Sequence, residues 1–205
     1  MDQEDALYRA ALAFHGHKCP AMPIGLRAGV VAMKRLGVER APNKELRVES
    51  ETGEGHAMGC FLDGVMSATG CTYGKGNVGK LGFHKLAFSL IDDHIGRAVR
   101  VVVKPEVIEA GLAGPFVALR RQGIAPQEID ADVVDPLVDG VLSRAEGELL
   151  EVGDLFDVPM SKSSSTFGLV RCARCGEAVF LGGARLGGDH ETLCMPCSGY
   201  IDTAS

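Results

Sequence analysis

Apolar positions recur with a helical period through the first third of the chain and with a strand period through its middle. Asp5–Phe14 sets Leu7, Ala10, Ala11 and Phe14 on one face, the pattern of an amphipathic helix. Pro20 and Pro23 suit the first turn of a second helix over Met22–Leu36, striped by Ile24, Leu26, Val30, Val31 and Met33, with Gly37 as its C-cap. A third helix is predicted over Gly59–Thr69 and presents Cys60, Asp63 and Gly64 on one side at i, i+3 and i+4. Leu46–Ser50 reads as a short strand, and Leu81–Phe83 and Lys85–Ile91 as strands joined around His84. Arg97–Val103 (RAVRVVV) is β-branched, sharply bounded and the strongest strand signal. Pro105 opens a helix reaching to Arg121, Val133–Arg144 forms another, and Leu149–Val158 is extended or mixed. Ser161–Thr166 is polar with no core-forming side chain. The expected organisation is therefore a core domain over 1–160, a linker over 161–168 and a small module over 169–205. Helices around a mostly antiparallel sheet make the core α+β.

Composition narrows the function classes. The 205 residues suffice for one substantial core plus the small module, and with no Trp and 5% aromatics that core must be aliphatic. A net charge of −6 argues against a nucleic-acid footprint, which needs a clustered cationic face. Arg171, Arg174 and Arg185 form the one local exception and read as solvated. The acidic N-terminus is unlike a secretory signal, and no apolar run approaches the roughly 20 residues of a membrane helix. Seven cysteines without an export signal point to reduced thiols, metal ligation and a cytoplasmic location.

Cys172-Ala-Arg-Cys175 and Cys194-Met-Pro-Cys197 are two C-x-x-C knuckles separated by eighteen residues. Each points two sulfurs at one ion, and together they supply the four-thiolate shell of a structural zinc. Two redox dithiols or a pair of disulfides are the alternatives, but a C-x-x-C redox pair opens a helix, and Gly176 follows Cys175 directly. The module holds too few large apolar side chains to fold on burial alone. Metal binding of about 10–16 kcal/mol would fold it, leaving a closed shell with no position for chemistry.

Three polar clusters in the core carry candidate chemistry. In His15-Gly-His17-Lys-Cys19-Pro20, His17 and Cys19 can face one ion from a turning backbone, and His15 reads as a capping or packing histidine. Cys60, in Glu54–Asp63, gains thiolate character if it sits at a helix start, and with His17 and Cys19 would make three ligands and an open position. A core thiol is the alternative for Cys60. Gly70-Cys71-Thr72-Tyr-Gly-Lys75-Gly-Asn77 reads either as an anion or substrate-carboxylate site, with Lys75 as its positive charge and Cys71 as a thiolate nearby, or as a Gly-rich turn. It is not a P-loop.

In this order these motifs resemble the formylmethanofuran dehydrogenase E-subunit-like proteins over most of residues 10–160, and the four-cysteine segment is similar to TraR/DksA-type fingers. The resemblance implies an α+β homodimer with a metal-capable cleft. It makes His17, Cys19 and Cys60 ligands of a second metal, zinc above all, and Asp63, Cys71, Thr72, Lys75 and Asn77 cleft residues. Two functions compete. One is a metal-dependent or thiol enzyme acting on a small anionic substrate, with Cys71 and Lys75 catalytic. The other is a non-catalytic accessory protein delivering a metal or cofactor to a molybdenum or tungsten oxidoreductase through the finger. Nucleic-acid regulation is the weakest reading on charge grounds.

Overall fold

The computed structural model describes residues 3–160 and 167–200, so the polar run Ser161–Thr166 lies outside the described residues. Two compact units divide the chain, Met1–Met160 and Ser161–Ser205, and each contains apolar clusters of its own.

In the larger unit, α1 (Gln3–His15) and α2 (Ala21–Leu36) precede β1 (Leu46–Ser50) and α3 (His56–Thr69). Then follow β2 (Val78–Lys80), β3 (Ala87–Asp92), β4 (Arg97–Val103), α4 (Pro105–Ala113), α5 (Pro115–Arg121), α6 (Ala131–Ser143), α7 (Glu146–Leu149) and β5 (Leu150–Asp157). The five strands form one sheet in the order β2-β1-β3-β4-β5, antiparallel throughout except for the parallel pair β1–β2. This is the expected α+β, antiparallel-dominated architecture. Leu46, Val48 and Ser50 of β1 point inward in alternation, and Phe88, Leu90, Val99, Val101 and Val103 of the central strands complete a core with Phe61 and Val65 of α3.

Two predicted elements are interrupted, each for a local reason. The strand expected at Leu81–Phe83 does not form; Gly82 (φ 69°) and His84 (φ 56°) are left-handed and interrupt the extension. The strand lies just upstream, at Val78–Lys80. The helix expected to run from Pro105 to Arg121 breaks at Gly114, which is extended (φ −77°, ψ 165°) ahead of Pro115. Proline lacks the N–H and disfavours helical geometry in the preceding residue.

The position of α2 against α3 matters most for function. A Cβ on Gly25 would lie 1.8 Å from the Phe61 carbonyl oxygen, one on Gly64 2.1 Å from that of Met22, and one on Gly29 2.6 Å from the Ala68 methyl. Only hydrogen fits between backbones this close. One side of the pair faces the sheet. On the other, Met22, Leu26 and Ala68 join Ala11 of α1, Phe116 of α5 and Val134 and Val138 of α6 in a second apolar cluster, which also contains Cys19 and Cys60.

The smaller unit is two hairpins, β6 (Leu169–Arg171) with β7 (Ala178–Phe180) and β8 (Ala184–Leu186) with β9 (Thr192–Cys194), followed by a short α8 (Met195–Ser198). Among the described residues its buried cluster consists of Cys172, Leu193 and Cys194, flanked by Val179 and Cys197.

Candidate metal centres

Helix α1 ends at His15, and Gly16 (φ 91°) takes a left-handed conformation that donates its N–H back to Leu12 O at 2.9 Å. The reversal turns His17 back over His15, with ring centroids 4.2 Å apart. His15 Nε2 lies 3.2 Å from His17 Nε2 and 3.5 Å from Cys19 Sγ. Cys60 arrives from α3 by way of the glycine-mediated packing, one helical turn before Gly64. One ligand atom from each of His15, His17, Cys19 and Cys60 lies within 4.8 Å of all the others. Asp63, the i+3 neighbour of Cys60, faces His15 Nδ1 at 2.8 Å.

His17, Cys19 and Cys60 are thus brought together. His15, expected to cap or pack, joins them, and the expected open fourth position has a donor in it. The usable signal was the spacing His15-x-His17-x-Cys19 around a glycine. A tetrahedral ion with Zn–N of about 2.05 Å and Zn–S of about 2.3 Å needs edges of about 3.3 Å for N···N and 3.6 Å for N···S. The observed 3.2 and 3.5 Å fit this geometry. Without an ion, Cys19 is the thiolate of the pair. The hydrogen bond from the Cys60 thiol, followed by the Met22 backbone and His15, brings it down to about 5 against the effect of burial. Cys60 is pushed up by the same bond and by burial. Its expected helix-start activation is absent because α3 begins at His56, a full turn earlier.

The glycine loop is tied to its own backbone. The Lys75 Nζ donates to Gly70 O at 2.7 Å and to Ala41 O at 3.4 Å. The Asn77 amide donates to Leu46 O at 2.8 Å and its oxygen accepts from Thr72 N–H at 3.0 Å, while Thr72 Oγ1 accepts from Lys75 N–H at 3.2 Å. Cys71 is fully buried, donates to Leu46 O at 3.3 Å, and is pushed up to about 11 by burial. This bonding is that of a turn stapling the segment before β1. The thiol of Cys71 and the Nζ of Lys75 thus both face backbone carbonyls, and Cys71 is not part of the His/Cys cluster.

In the smaller unit one ligand atom from each of Cys172, Cys175, Cys194 and Cys197 also lies within 4.8 Å of the rest. Cys175 Sγ and Cys194 Sγ are 3.9 Å apart, against about 3.8 Å for a tetrahedral thiolate edge. Gly176 (φ 75°) closes the first knuckle by donating to Cys172 O at 2.9 Å. The Cys175 backbone N–H leads the contacts that bring Cys172 down to about 6, while the bond with Cys194 pushes Cys197 up to about 12. Arg171, Arg174 and Arg185 donate to backbone carbonyls of Gly176, Cys197 and Gly182 respectively, and Arg185 also lies over the Tyr200 ring at 4.4 Å. No helix among the described residues is long and apolar enough to cross a membrane.

An α+β core with a two-histidine, two-cysteine cluster, followed by a four-cysteine module, defines a protein with two metal-capable centres. The chain belongs to the FmdE family, described as molybdenum formylmethanofuran dehydrogenase operon, whose model matches residues 14–151, a span that includes the His/Cys cluster and stops before the four-cysteine module. A protein of Archaeoglobus fulgidus named probable S-adenosyl-L-methionine-binding protein is 27% identical over 195 residues, 92% of this chain and 51% of its own length. The chain thus spans about half of that relative. The fold is shared with the crystal structure of a tungsten formylmethanofuran dehydrogenase E-subunit (FmdE)-like protein from Syntrophus aciditrophicus, at TM-score 0.61 and 23% identity, covering 97% of this chain and 93% of that one.

Proposed function

We propose that the chain is a zinc protein that serves a molybdenum or tungsten oxidoreductase as an accessory partner, with one zinc in each centre. The observation that carries this reading is the convergence of His15, His17, Cys19 and Cys60 within 4.8 Å of one another, with the His15–His17 and His15–Cys19 edges at the lengths of a tetrahedral shell. A zinc ion with four protein donors supplies structure or a transferable ion and has no bound water to activate. Asp63 orients His15, and half-buried His17, hinged at Gly16, is the donor best placed to swing away when the ion is handed on. The family's association with a dehydrogenase operon supports the redox partner. Exposed Phe167, Leu169, Phe180 and Leu186 support docking through the finger, and exposed Tyr73, Leu81 and Phe83 support a homodimer. A cytoplasmic location accords with seven free thiols.

Elemental analysis tests the reading. Two zinc ions per chain are expected, one after all four finger cysteines are changed to Ser, and none in the core after Cys19→Ser with Cys60→Ser. A finger-free variant holding no ion removes the core centre. Pull-downs should recover the oxidoreductase, and deletion of residues 162–205 should abolish recovery.

A second reading, small-molecule binding in the larger unit, is favoured by a pocket of about 410 Å³ between α1, α2 and α6. The name of the Archaeoglobus relative makes S-adenosyl-L-methionine a molecule to try there. A small anionic substrate at the glycine loop would meet Lys75 with its Nζ donating to the Gly70 and Ala41 carbonyls.

A further inference from the structure

The pocket between α1, α2 and α6 has an aliphatic floor that includes Leu26, Val30 and Leu142. Its volume of about 410 Å³ falls within the span of small-ligand sites. Asp5, Asp139 and Glu146 line it, and among the described residues Arg27 is the one cation in the lining. The Arg27 guanidinium is already committed, donating to Val141 O at 2.6 Å and to Arg144 O. Neither Asp5 nor Asp139 forms a salt bridge among the described residues, and Glu146 meets only Lys34, at 4.0 Å. Tyr8 adds an aromatic wall. It packs in the apolar cluster that contains Cys19 and Cys60, and burial pushes its phenol above its ordinary value.

Carboxylates that outnumber a committed guanidinium three to one, an aromatic face and an apolar floor together select a ligand. An anion is repelled, and a hydrated inorganic cation gains nothing from the floor. A sulfonium or substituted ammonium group gains from the ring quadrupole and from the acidic rim, while its body covers the aliphatic side chains. We infer that this pocket, walled by the apolar cluster that also contains Cys19 and Cys60, binds a small organic cation of the onium class. This inference rests on the small-molecule reading above and deepens it.

Calorimetric titration of the full, zinc-loaded chain tests it with three probes: S-adenosyl-L-methionine, benzyltrimethylammonium, and S-adenosyl-L-homocysteine, which keeps the body of the first but lacks the sulfonium charge. Both cations should bind, with the neutral thioether about ten-fold weaker than its sulfonium counterpart. Asp139→Asn, at an exposed position, should weaken the cations about five-fold and leave the thioether unchanged. Val30→Trp fills the cavity and should abolish binding of all three. Equal affinity for sulfonium and thioether, no heat from either cation, or cation binding unaffected by Asp139→Asn would each overturn the inference, and the last holds even if Val30→Trp does not fold. Zinc content measured on the same samples separates loss of ligand from loss of the ion.

Discussion

His15 uses both ring nitrogens, with Nδ1 against the Asp63 carboxylate at 2.8 Å and Nε2 toward His17 and Cys19. A proton held on Nδ1 by the carboxylate leaves the Nε2 lone pair free for an ion, so Asp63 selects the tautomer as well as the ring orientation. Asp63→Asn should therefore lower zinc affinity about 10- to 100-fold with little change in fold, as read by competition with a chromophoric chelator. Unchanged affinity would make Asp63 a bystander. A second test at this scale concerns Glu51, buried and gripped by Arg100 through Nε at 2.5 Å and Nη2 at 2.9 Å. The Arg100 hydrogen bonds hold the Glu51 carboxyl below its ordinary value of 4.5. A carboxyl lowered in the folded state contributes stability that is complete above the unfolded value and is lost as pH falls through the folded one. Glu51→Gln should cost about 1–2 kcal/mol at neutral pH, solvent screening of half-exposed Arg100 limiting the loss. That difference should shrink toward zero in denaturant titrations carried down to about pH 3. A constant difference across the range would exclude an ionic origin.

The α2–α3 crossing is the element on which the core centre depends. Its glycines admit a backbone approach that no side chain tolerates, and Cys19 and Cys60 meet only because the helices touch. Gly25→Ala drives a methyl into the Phe61 carbonyl and should destabilise by about 3 kcal/mol while weakening zinc binding. Gly59→Ala, with nothing within 4 Å of its Cβ, should stabilise α3 by about 0.5–1 kcal/mol and leave the centre intact. Thermal melts paired with zinc titration decide between the two, and equal behaviour would refute the close-approach account. Periodicity revealed α1, α2, α3 and β4, because each buries a regular stripe or alternation. It failed at 81–83 and at Gly114, where one or two backbone angles outweigh a favourable apolar pattern.

At the scale of the whole molecule the two units should depend on metal to different degrees. The larger unit has two apolar clusters from five strands and several helices, whereas the smaller one buries little beyond Cys172, Leu193 and Cys194. Chelation should therefore unfold the smaller unit and spare the larger. In hydrogen exchange, amides of β6–β9 should lose protection when zinc is stripped, while those of β3 and β4 keep it. Protection persisting in β6–β9 without metal would show that the hairpins fold by themselves.

The clustering of Cys172, Cys175, Cys194 and Cys197 was legible because two residues between cysteines leave the backbone few ways to turn, so each knuckle is set locally. His17 and Cys19 were legible for the same reason. The part played by Cys60 was only a possibility in the sequence, since it lies forty-one residues beyond Cys19, and the recruitment of His15 required the turn at Gly16 and the carboxylate of Asp63 from another helix. The Gly70–Asn77 loop shows the converse: its glycines and lysine suit an anion site equally well until the carbonyls of Ala41 and Leu46 arrive to occupy its donors. Residue spacing specifies the donors a short segment can offer. Whether donors from distant segments share an ion, or are used up on the backbone, is decided by how closely the helices and loops pack.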